Sequence, residues 1–63
     1  MFIWNKSETE LINTAHISKF SISAPELEQK DWIVWAHINF DGVSVMHRGT
    51  EESCKRYLAR IAG

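Results

Sequence analysis

Asp41-Gly42 sits between two runs of alternating residues, "DWIVWAHINF" and "VSVMHRG", and constrains this chain more than any other dipeptide in it. An Asp-Gly pair in such a setting favours a tight β-hairpin, because a type I′ turn needs positive φ at both central positions. A two-residue loop then sets the register. Phe40 faces Val43, Ile38 faces Val45 and Ala36 faces His47; on the other side Asn39 faces Ser44, His37 faces Met46 and Trp35 faces Arg48. Successive side chains of a strand point to opposite faces. The even positions Trp32, Val34, Ala36, Ile38 and Phe40 are all apolar and predict a core face. The odd positions Ile33, Trp35, His37 and Asn39 are apolar near the start and polar near the turn, so they predict a second, mixed face.

The segments on either side extend this hairpin. "MFIW", the turn "NKSE" and the return "TELIN" predict a first hairpin over residues 2–13. "TAH" is a bend begun by Asn13, whose side chain can imitate a backbone turn. In "ISKFSIS", Phe20 and Ile22 point one way and Lys19, Ser21 and Ser23 the other, the period of a half-buried strand. "APELEQK" holds the only proline among charged residues and predicts an exposed, mobile loop. The end of the chain is a helix: Thr50 is a good N-cap, and Glu51 and Glu52 complement the positive end of the helix dipole. Cys54, Tyr57, Leu58, Ile61 and Ala62 recur on one stripe, with Lys55, Arg56 and Arg60 off it and Gly63 at the C-cap position. Residues 1–63 are thus expected to form a single small α+β domain, an antiparallel meander of about five strands with one C-terminal helix packed on one face.

With 63 residues such a domain buries only about 60% of the surface that its unfolded chain exposes. Small domains supplement a thin core with disulfides, a metal or a second subunit. Cys54 is the only cysteine, so no disulfide can form within the chain. His16, His37 and His47 lack the spacing of a structural zinc site, and His37 and His47 have opposite parity across the hairpin. Self-association is the remaining remedy. A formal net charge of -1 gives no global pull toward nucleic acid or an anionic membrane. There is no basic leader and no apolar run long enough to span a bilayer, and a lone thiol fits a reducing cytoplasm.

Candidate chemistry is sparse. His47 and Cys54 share the helix-covered face, and a thiol near a helix N-terminus can be activated by a histidine. Cys54 lies on the apolar stripe, however, where a free cysteine behaves as a small buried hydrophobe. The carboxylates fall in turns, loops and the helix start, and no glycine-rich phosphate loop is present. Trp35 opposite Arg48 would be a cation–π pair worth about 0.5–1 kcal/mol. Ile33, Trp35, Met46 and Arg48 together are the candidate interface, since aromatic residues, Met and Arg are enriched at interface centres.

"MFIWNKSETELINTAHISKFSI", the Trp-bearing strand, a Gly turn and "RGTEESCKRYLARI" resemble a group of small, uncharacterised bacterial and phage-associated proteins. The shared features are an aromatic opening strand, an LIN segment and a Thr-Glu-Glu helix; no catalytic residue comes with the resemblance. The strand order is also similar to part of a bacterial PH-like barrel, whose missing strands a second subunit could supply. The expected function is a non-enzymatic protein-interaction module, a homodimer or small homo-oligomer through the helix-free sheet face. No cofactor or metal is expected, and another protein partner is possible. The alternative is a binder of a small ligand, nucleotide or single-stranded nucleic acid that stacks a ring on Trp35 beside Arg48.

Overall fold

The structure, a computed structural model, describes residues 1–62. The C-cap expected at Gly63 lies outside the described residues. Five strands and one helix follow in the order β1 (Phe2–Trp4), β2 (Leu11–Asn13), β3 (Ile17–Ser23), β4 (Trp32–Ile38), β5 (Gly42–Gly49) and α1 (Glu51–Ala62). The protein is α+β with antiparallel pairing, but its strands are not one meander. β1 and β2 form a two-stranded ribbon, and β3, β4 and β5 form a separate three-stranded sheet with β4 in the centre. The cause of the division is local. A 3-10 turn at Thr14–His16 interrupts the extended backbone between β2 and β3, capped by Asn13, whose Oδ1 accepts from the Ala15 N–H at 3.0 Å.

The core lies between the sheet and two lids. Val34 and Ala36 of β4 are fully buried, joined by Met46 from β5, Cys54 from α1 and Ile12 from β2. The helix packs on β4 and β5, with Tyr57 and Leu58 against the core. The ribbon covers more of the same face, directing Ile3 and its cross-strand partner Ile12 inward. Full burial of a side chain such as Val34 stabilises by about 1.5–3 kcal/mol. Helix α1 starts where the sequence indicated: Thr50 Oγ1 accepts from the Ser53 N–H at 3.1 Å, and the Thr50 carbonyl accepts from the Cys54 N–H at 3.0 Å.

The β4–β5 hairpin forms, but in a different register. Ile38 pairs with Gly42, Ala36 with Ser44 and Trp35 with Val45. The loop is therefore three residues, Asn39 to Asp41, and Phe40 is an exposed loop residue at φ 69 rather than the end of the core face. Gly42 at φ 84 supplies the left-handed conformation that a loop of this length requires. A β-bulge then shifts the pairing between Trp35 and Val34, so that Val34 pairs with His47 and Ile33 with Arg48. The extra residue is Met46. A bulge sets two residues of one strand against one of its partner, and here Met46 and His47 both fall on the core side of Val34. Val43 and Val45, expected in the core, instead share the helix-free face with His37 and Trp35.

Candidate functional site: an exposed face on the β1–β2 ribbon

The ribbon is held by its own loop. Asn5 is the one buried polar residue of the described chain, and its side chain organises the turn. Its Oδ1 accepts from the backbone N–H groups of Thr9 and Glu10 at 2.9 and 3.1 Å, and its Nδ2 donates to Thr9 Oγ1 at 3.0 Å. Two further ties anchor the ribbon. The Lys6 N–H donates to the Val45 carbonyl at 2.8 Å, and the Thr14 N–H to the Met1 carbonyl at 2.9 Å.

This anchoring decides which side chains meet water. In three-residue strands the central residues Ile3 and Ile12 take the core side, and the flanking residues must point away. Phe2, Trp4 and Leu11 are accordingly left 59%, 54% and 52% exposed, with Trp4 and Leu11 directly paired. Met1 is exposed at the margin. The exposed surface of these three large side chains is on the order of 350 Å², within the range of the largest apolar patch on ordinary monomers, which is often functional. Beside the ribbon a shallow cleft of about 450 Å³ separates it from the β4–β5 loop, with Glu10, Asn13, His16, Asp41 and Ser44 on its walls. No grouping of three or more His, Cys, Asp or Glu suited to a metal ion occurs among the described residues.

The four residues singled out from the sequence do not come together as one patch. Cross-strand pairing places Ser23, Ile33 and Arg48 in one row of the helix-free face, and Ser21, Trp35 and Val45 in the next. Ile33 is only 5% exposed. Trp35 is half-buried, and its Nε1–H donates to Ser23 Oγ at 3.0 Å. Arg48 is exposed and donates to Gln29 Oε1 at 3.3 Å; it faces Ile33 rather than Trp35, so the expected directly opposed cation–π pair is absent. Met46 leaves this face altogether, since the bulge carries it into the core at 3% exposure. The rest of this face is mixed: Lys19 and His37 are paired with Ser21 Oγ 2.9 Å from His37 Nε2, and Val43 is exposed beside them.

His47 and Cys54 share one face of the sheet, as expected, but not one reaction centre. Cys54 is fully buried, and its Sγ–H donates to the Trp32 carbonyl at 3.5 Å. Burial pushes the thiol above its ordinary pKa, a hydrogen bond from Ser53 opposes this, and the charge of Asp31 adds to the rise. A reactive cysteine needs the reverse shift. His47 instead stacks on Tyr57, with ring centroids 5.1 Å apart, and lies 3.2 Å from Ser53 Oγ. Ser53 Oγ also lies 3.0 Å from the Thr50 carbonyl, so the His47–Ser53 contact belongs to the start of the helix.

No protein-family model, curated protein or solved structure matches the chain. The sequence did contain a signal for the ribbon face. In "FIW" and in "LIN" the two outer residues of each segment alternate with a central isoleucine, so Phe2 and Trp4 share one face of the first strand and Leu11 and Asn13 one face of the second. What periodicity cannot supply is the side on which the rest of the protein lies.

Proposed function

We propose that this chain is a small, non-enzymatic protein-interaction module that associates with copies of itself, as a homodimer or small homo-oligomer. The observation that carries the reading is the apolar outer face of the ribbon, with Phe2, Trp4 and Leu11 each more than half exposed on a rigidly anchored element. A backbone already tied down by its own hydrogen bonds loses little further freedom on docking, which favours an interface there. The proposal moves the contact from the helix-free sheet face to the ribbon, because Met46 and Ile33 are withdrawn from the former. Assignment to the bacterial and phage-associated group that the sequence resembles, and to the cytoplasm, belongs to the same proposal; a single thiol, buried in the core, is compatible with a reducing compartment.

Light scattering across a dilution series tests this, with Trp4→Glu and Trp35→Glu as the two variants. The expected result is a wild-type mass above that of one chain, lowered by Trp4→Glu and unaffected by Trp35→Glu. A wild-type protein that is monomeric at every concentration overturns self-association, and the opposite ranking of the variants returns the contact to the sheet face.

A further inference from the structure

The two outer edges of the three-stranded sheet are not equivalent. On the β5 edge the Val45 carbonyl is occupied by the Lys6 N–H, so the loop of the ribbon interrupts that edge at mid-strand. The β3 edge carries no strand partner among the described residues. An open edge presents unpaired N–H and C=O groups and is a template for another strand. Helix α1 packs over β4 and β5, so on the core side of β3 Phe20 and Ile22 remain half-buried beside the open edge.

We infer that the β3 edge pairs with the β3 edge of a second copy, antiparallel across a two-fold axis at Ser21, joining two three-stranded sheets into one of six strands. The register is set by the strand's own irregularity. A bulge between Ile17 and Lys19 ends the regular ladder on one side and the strand stops at Ser23 on the other, leaving Lys19 to Ser23. The midpoint of that stretch is Ser21. Centred there, Phe20 of each copy lies opposite Ile22 of the other, an aromatic–β-branched pair of the favourable kind. Ser21 meets Ser21, and Lys19 meets Ser23, so no like charges face each other.

Self-complementarity supports a second copy as the occupant, and the inference rests on the self-association proposed above: a strand of the same sequence sets Phe20 against Ile22 on both sides of the axis and leaves Lys19 opposite Ser23. Two different two-fold contacts on one chain build assemblies larger than a dimer.

The test combines mass with amide exchange. Because Trp4→Glu removes the ribbon contact, any association that remains in it reports the edge. The expected result is a Trp4→Glu dimer at high concentration, with protection of alternate amides between Lys19 and Ser23 that grows with concentration. Adding Ser21→Lys sets two ammonium groups across the axis and should halve that mass while circular dichroism stays unchanged. The exchange measurement on the wild-type chain needs no variant and shows the same rise in protection if the edge pairs. A Trp4→Glu protein that is monomeric throughout, with amide exchange in β3 independent of concentration, overturns the edge pairing and leaves the ribbon reading intact. A Ser21→Lys protein that is monomeric while Trp4→Glu changes nothing overturns the ribbon reading and keeps the edge.

Discussion

Met46→Ala is the substitution that most directly weighs the bulge in β5. If the hairpin kept an unbroken register from a two-residue turn, Met46 would stand beside His37 on the mixed face, and truncating it would change stability by no more than about 0.5 kcal/mol. The bulge instead places the side chain at 3% exposure among Ile12, Val34, Ala36 and Cys54. Truncating a buried methionine to alanine costs about 2–5 kcal/mol, the range reflecting how far the site collapses around the cavity. A 63-residue domain has a total stability of about 3–9 kcal/mol. The substitution therefore removes about a fifth of it at the least, and on the order of 10 °C or more in melting temperature. Urea and thermal unfolding followed by far-UV circular dichroism give the measurement, with Val43→Ala on the exposed β5 surface as the control. A loss for Met46→Ala below about 0.5 kcal/mol, equal to the control, would refute the bulged register.

Three other perturbations follow from contacts already described. Asn5→Ala removes the buried amide that satisfies two backbone N–H groups, and should destabilise by about 1–3 kcal/mol in denaturant melts; a neutral result would mean that the ribbon loop is held by something else. Thr50→Ala deletes the helix cap and should cost about 1 kcal/mol, read as a lower urea midpoint at unchanged slope. Cys54 should react with thiol reagents only at the rate of opening. Because its native pKa is raised, the unfolded chain loses its thiol proton first as pH climbs past about 8.5, while the native state retains it. That contribution to stability is present at neutral pH and declines in alkali. Tyr57, raised mainly by burial, acts in the same direction nearer pH 10. Comparing wild type with Cys54→Ala between pH 7 and 9.5 isolates the cysteine, and equal slopes for the two proteins would contradict the assignment.

The helix, its cap, the opening hairpin and the Asn13 bend could all be read from local chemistry, because each depends on residues within a few positions of one another. The strand at Ile17–Ser23 and the core parity of Trp32, Val34, Ala36 and Ile38 were legible for the same reason. The β5 register was not. It depends on Phe40 accepting a left-handed conformation and on one surplus residue in the ladder, and neither leaves a trace in a two-residue period. Met46 was placed on the outer face by counting outward from Asp41-Gly42, and a shift at the turn followed by a bulge defeats such counting. The division into ribbon and sheet was hidden because a 3-10 turn of three residues reads as an ordinary bend. The candidate site shifted as a consequence: exposure of Phe2 and Trp4 is set by where Ile12 meets Val34 and Cys54, contacts far apart along the chain.

The three tryptophans occupy three different neighbourhoods. Trp4 is on the outer ribbon face, Trp32 packs against the core near Cys54, and Trp35 lies on the opposite side of the sheet with its indole bonded to Ser23. The molecule thus carries its own set of optical probes. In chains that keep one indole each, with phenylalanine at the other two positions, the emission of Trp4 would track contact between copies and that of Trp32 the seating of the helix. Trp35 would record events on the helix-free sheet face. Light emitted at three separate points can then distinguish assembly from unfolding without an added label.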